Sequence, residues 1–166
     1  MGQRRQPPSK KPDPDSPRTG TSLRAHALRL LARREHTRAE LKARLAAQGA
    51  DPAEVAELIE EFSRRGWISD TRVLEQIAHA RRSRFGSARI RQDLAAKGVP
   101  DELIDDAMSE LREGDLGAAR IVWRKKFSVV PSNAAERARQ LRFLQSRGFS
   151  LELAIRVLRE AAKSED

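Results

Sequence analysis

Apolar residues recur along this chain at three- and four-residue intervals, without the strict alternation of strands, so the pattern predicts helices throughout. A first helix opens near Ser22, carries Leu23, Ala27, Leu30 and Leu31 on one face, and ends near Arg34. Thr37 and Glu40 form a capping box for a second helix, whose face is Leu41 and Leu45 and whose stop is Gly49. Asp51 and Pro52 start a third helix, in which Val55, Leu58, Ile59 and Phe62 make one stripe before Gly66. Trp67 and Ile68 are placed to fold back over that glycine.

The same grammar then repeats. Ser69 or Asp70 caps a helix with Val73, Leu74, Ile77 and Ala80; Ser87 opens a short helix with Ile90 and Leu94, stopped by Gly98. Val99 and Pro100 lead into a helix carrying Leu103, Ile104, Ala107, Met108 and Leu111. Gly98 follows Gly49 by 49 residues. At that offset Leu41 matches Ile90, Leu45 matches Leu94, Val55 matches Ile104, Ile59 matches Met108 and Phe62 matches Leu111. A looser third copy has Ala118, Ile121, Val122 and Trp123 on a helix from about Asp115 to Phe127, then a link from Ser128 to Asn133. A helix with Ala138, Leu141 and Leu144 runs to Gly148 and Phe149, and a last one from Ser150 carries Leu153, Ala154, Val157, Leu158 and Ala161.

The predicted fold is therefore all-α: three tandem three-helix repeats over residues 22–68, 69–114 and 115–166, behind a disordered basic tail over residues 1–21. Units of this size hold little core, so the expectation is that neighbours stack into an elongated, curved array.

Composition adds a partner class. The chain has 33 Lys+Arg against 24 Asp+Glu, a net charge of +9, with 4% aromatic residues. Such a surplus suits a polyanion or an acidic protein surface. The charge is also segregated. From Arg72 to Lys97 there are seven basic residues against Glu75 and Asp93, whereas Asp101 to Glu113 holds six acidic residues against Arg112. Asp51 to Glu61 likewise has five acids and no base. The reading is that first and second helices are basic, third helices acidic, and that stacking produces a positive and a negative flank.

Candidate chemistry narrows the field. With no cysteine, disulfides and thiolate metal sites are excluded. His26, His36 and His79 lack metal-site spacing; His26 reads as a surface or boundary residue and His36 as a loop residue. The pairs Glu60–Glu61 and Asp105–Asp106 are adjacent on helices and point apart. There is no phosphate-binding loop and no nucleophile elbow. Nothing calls for a cofactor, a metal or catalysis. No apolar run approaches the length of a membrane span, so the protein is expected to be soluble, cytoplasmic and off the membrane.

Five segments in order carry a resemblance: LLARREHTRAEL from Leu30 to Leu41, GWISD from Gly66 to Asp70, RRSRFG from Arg81 to Gly86, LAAKGV from Leu94 to Val99, and FLQSRGF from Phe143 to Phe149. Together they resemble the RecX family of bacterial recombination regulators, over about residues 23 to 160. The resemblance implies a non-enzymatic cytoplasmic protein that binds the RecA filament and modulates, mainly inhibits, its ATPase, strand-exchange and coprotease activities. The tail is not shared with that pattern, and residues 67–70 stand where the family often has a more acidic turn. Local chemistry assigns the RecA- or DNA-binding residues as Arg81, Arg82, Arg84, Arg89, Arg91 and Lys97 in the second unit and Arg124, Lys125 and Lys126 in the third. Arg81, Arg82, Arg84 and Arg91 are expected to lie off the apolar stripe and to be dispensable for folding. Phe85 and Phe149 are read as core rather than base-stacking residues. A monomer acting on the RecA filament is the leading reading, and a direct, sequence-independent nucleic-acid binder acting through the basic flank is the alternative.

Overall fold

Each apolar stripe finds its partners within its own third of the chain. The computed structural model describes residues 19–164. Among these are nine helices and no strand: α1 Thr19–Arg33, α2 Arg38–Ala46, α3 Pro52–Arg64, α4 Asp70–Arg82, α5 Ser87–Ala96, α6 Asp101–Glu113, α7 Asp115–Lys126, α8 Ala134–Ser146 and α9 Leu151–Lys163. Three consecutive helices make one unit. The first helix begins at Thr19, three residues before Ser22; the rest of the expected tail lies outside the described residues.

The caps are those the side chains dictate. Thr37 accepts from the Glu40 amide while Glu40 accepts from the Thr37 amide, Asp51 accepts from the amides of Ala53 and Glu54, and Ser69 rather than Asp70 caps α4. The Trp67 amide bonds back to the Phe62 carbonyl at 2.9 Å, closing α3 across Gly66. Ile68 is buried there, while Trp67 stays 40% exposed with its ring 5.1 Å from Phe62.

The buried apolar residues fall into three separate clusters. Ala27, Leu41, Leu45, Val55, Leu58, Ile59, Phe62 and Ile68 form the first. The second is built on Val73, Leu74, Ile90, Leu94, Ile104, Met108 and Leu111, and the third on Ala118, Ala119, Val122, Trp123, Leu144, Ala154, Val157 and Leu158. The units stack without pooling one continuous core. Each triplet buries its own stripe, and neighbours meet through polar and backbone contacts.

Those contacts follow one plan, used twice. The Thr37 hydroxyl, at the N-cap of α2, donates to the carbonyl of Lys97, the C-cap of α5, at 2.6 Å. Forty-nine residues on, the amide of Gly86 at the N-cap of α5 donates to the carbonyl of Arg147, the C-cap of α8, at 2.8 Å. The second helices thus follow one another head to tail, each N-terminus set on the C-terminus of the next, an arrangement their dipoles favour. A second clasp recurs beside it. Asp70 accepts from the Arg38 amide at 2.9 Å, and Asp115 accepts from the Ser87 amide at 2.9 Å and from the Ser87 hydroxyl. Gly98 and Gly148 close each junction. Both have left-handed backbones, φ +73° and +88°, and a Cβ would come within 2.6 Å of Ala39 or of the Arg89 amide nitrogen.

Three apolar assignments differ from the sequence reading. Ala80 is exposed and so is Ile121, at 51%. On α8 the buried pair is Gln140 and Leu144, with Ala138 and Leu141 half-buried. Gln140 enters the core because the buried Trp123 indole N–H needs an acceptor; it provides one at 2.6 Å, and its own amide reaches the Val129 carbonyl.

Candidate interaction surface

The basic residues singled out from the sequence divide by what they already hold. Arg82 is half-buried and donates to the carbonyls of Leu111 and Glu110 at 2.9 and 2.8 Å, closing the end of α6. Its guanidinium also fills the space that a Cβ at Gly114 would need. Dispensability for folding is thus corrected for Arg82. Arg82→Ala should cost about 1 kcal/mol, because two charge-assisted bonds to helix-end carbonyls go unmade. A thermal melt against Arg84→Ala, whose side chain holds no such bond, checks this.

Arg91 pairs with Asp105 on α6, which raises its pKa above the usual guanidinium value through that hydrogen bond. Lys97 reaches across to Glu40 at 3.0 Å. Arg38 pairs with Glu60 and Arg24 with Glu61, so the acidic third helices are stitched to basic helices of their own unit. Separate flanks therefore do not form as expected. The helices in series are α2, α5 and α8, not α3, α6 and α9. In addition, α9 carries Arg156, Arg159 and Lys163 against Glu152 and Glu160 and is not acidic.

Glu40 anchors the first junction. Burial alone would raise its pKa, but hydrogen bonds from Arg34, Lys97 and the Thr37 amide outweigh this and bring it from 4.5 to about 2. Its stabilising effect is complete above pH 4.5 and is lost as pH falls through about 2. An acid titration of stability should therefore be flatter in that window for Glu40→Gln than for the unaltered chain. His36, in the α1–α2 loop as expected, is buried rather than exposed. That burial lowers its pKa, only partly offset by its bond to the Arg34 carbonyl.

Four arginines that share a single carboxylate, Asp93, collect around Phe85. The guanidinium carbons of Arg81, Arg84, Arg89 and Arg147 lie 5.4, 5.8, 5.6 and 5.4 Å from its ring centroid. Phe85 is half-buried under them, whereas Phe149 belongs to the third core as expected. Arg147 also lies 5.1 Å from the Phe143 ring, which meets Phe127 edge-on at 5.2 Å, and Arg139 lies 5.7 Å from Phe127. Arginines and rings thus alternate in a strip from unit 2 into unit 3. Arg124, Lys125 and Lys126 are exposed on the last turn of α7, directly before Phe127. Arg139 and Arg147 were not picked out from the sequence. The signal for Arg147 was its place before Gly148, equivalent to Lys97 before Gly98.

Fold and surface define the class: a tandem array of three-helix units, separately cored, with an arginine-rich junction between the second and third. Three family models match it in chain order. They are the first three-helix domain of RecX over residues 24–62, the second over 69–108 and the third over 113–158. Regulatory protein RecX of Leptothrix cholodnii is 45% identical over 151 residues, covering 91% of this chain and 96% of that one. Regulatory protein RecX of Chromobacterium violaceum is 42% identical over 139 residues, covering 84% and 90%. The crystal structure of RecX from Lactobacillus salivarius has the same fold, with a TM-score of 0.76 at 17% identity over 86% of this chain and 96% of that one. The chain belongs to the RecX family, a family of regulatory proteins rather than enzymes.

Proposed function

We propose that this protein binds the RecA–DNA filament as a monomer in the bacterial cytoplasm and modulates, chiefly inhibits, RecA's ATPase, strand-exchange and coprotease activities during recombination and repair. The observation that carries the reading is the run of RecX matches over all three units in order, with relatives similar along nearly their whole length. Among the described residues no helix is long and apolar enough to cross a membrane. Three separately cored units on one repeating clasp suit a long, regular partner, since several modest contacts gain from effective concentration once the first forms. The alternative of a direct nucleic-acid binder draws on the four arginines around Phe85, which share one carboxylate, Asp93. It becomes part of the same reading if filament DNA is one of the surfaces met.

RecA ATPase on single-stranded DNA, measured with substoichiometric amounts of this protein, tests the proposal. Inhibition well below one protein per RecA supports it. No effect at any ratio, alongside tight binding to naked DNA, would replace it with the direct-binder alternative.

A further inference from the structure

The two junctions share one frame and differ in charge. Between units 1 and 2 the cations meet carboxylates: Arg72 pairs with Glu35 at 2.9 Å, and Arg34 and Lys97 pair with Glu40 at 3.1 and 3.0 Å. Forty-nine residues on, the position of Glu35 is Arg84 and that of Glu40 is Arg89, while Phe85 stands where buried His36 stands. The C-cap equivalent to Lys97 is Arg147. A lysine–glutamate pair has become two arginines over one ring, at 5.4 and 5.6 Å.

The only answering carboxylate among the described residues is Asp93, 3.3 Å from both Arg81 and Arg89. Its Oδ1 accepts from the Arg89 Nε–H and its Oδ2 faces Arg81 without a hydrogen bond, so one carboxylate answers four guanidiniums. Arg84 and Arg147 have no carboxylate partner among the described residues. Stacking on Phe85 holds guanidiniums in place but leaves their charge uncancelled, and like charges so close repel. The contrast lies in unit 1, where Arg24 and Arg65 also sit over aromatic rings but both pair with Glu61, at 2.7 and 2.8 Å.

We propose that Arg81, Arg84, Arg89 and Arg147 around Phe85 form a site for the phosphodiester backbone of a nucleic acid, and that the bound phosphate supplies the counter-charge that fixes unit 3 onto unit 2. Guanidinium forks match phosphate oxygens, and phosphates recur along a strand, so arginines spread over one junction can engage successive charges. The strip through Phe143, Phe127 and Arg139 continues the pattern, since single strands are held by cations interleaved with aromatic side chains. Arg147 ties occupancy to architecture, because its own carbonyl accepts the Gly86 amide across the junction. This deepens the RecA-filament reading by naming which part of the filament the junction grips. Its test uses naked DNA without RecA, so the two can fail separately.

The experiment is fluorescence anisotropy of a labelled oligothymidine with the full chain over a salt series. The double variant Arg84→Ala/Arg147→Ala should show a log–log salt slope shallower by about 1.4, at about 0.7 per phosphate contact, and affinity about 20-fold weaker near ~0.1 M salt. Its melting temperature should stay close to that of the unaltered chain, and Arg44→Ala, an exposed arginine of unit 1, should bind as before. Amide exchange at Gly86 should slow when the oligonucleotide binds. An unchanged slope in the double variant would overturn the site. Polyglutamate competing as well as the oligonucleotide at equal charge would overturn the phosphate assignment, and Gly86 exchange indifferent to DNA would overturn the link to unit docking.

Discussion

Gly148→Ala is expected to destabilise the protein by about 3 kcal/mol, combining the strain of a left-handed backbone with overpacking. Its Cβ would lie 2.6 Å from the Arg89 backbone nitrogen and Cβ, atoms at the start of α5 that cannot swing away. The matched control is Gly49→Ala, with φ +75° and nothing within 4 Å of the added carbon. There the strain acts alone, at about 1 kcal/mol. Urea unfolding of the two variants separates the contributions. Because the third core is separate from the second, Gly148→Ala should also loosen unit 3 from unit 2 before either core melts. Gly86 amide exchange, read through the bond to Arg147, reports that loosening.

Asp115→Ala is the second large effect, about 2 kcal/mol. Asp115 is only 6% exposed and accepts from the Ser87 amide at 2.9 Å and from the Ser87 hydroxyl, so its loss leaves two buried donors unmet. The same change at Asp70 should cost clearly less, since the Arg38 amide it serves is exposed and water can take its place. Equal losses at the two positions, measured by the same unfolding, would contradict the difference in burial between the junctions.

Much of this architecture was legible in the residues. The 3.6-residue stripes, the caps at Thr37, Asp51 and Ser69, and the offset between Gly49 and Gly98 gave helices, bounds and repeat, because each rests on local chemistry that neighbours do not overrule. The junctions were not legible. Asp70 and Asp115 read as helix-start residues, and only the fold reveals that they also serve the start of the second helix of the preceding unit. Arg82 looked like one more free cation in a basic run, since the carbonyls it closes lie 28 and 29 residues away. Nothing in the residues around Gln140 signals its burial, because its indole partner sits on another helix. Charge counting picked out a basic cluster but could not tell paired from unpaired arginines. That distinction depends on Asp93, Asp105 and Glu40 in space.

The internal comparison of junctions offers the sharpest test. Arg89→Glu restores at the second junction the carboxylate that Glu40 provides at the first, opposite Arg147 as Glu40 is opposite Lys97. It should shift the stability of the fold by no more than about 1 kcal/mol, since the exposed pair gained opposite Arg147 offsets the exposed Arg89–Asp93 pair that is lost. It should also weaken inhibition of the RecA ATPase on single-stranded DNA, because the junction then carries its own counter-charge. The predicted result is therefore a melting temperature close to that of the unaltered chain, with inhibition requiring severalfold more protein. Inhibition that is unchanged in a variant equally well folded would contradict the account.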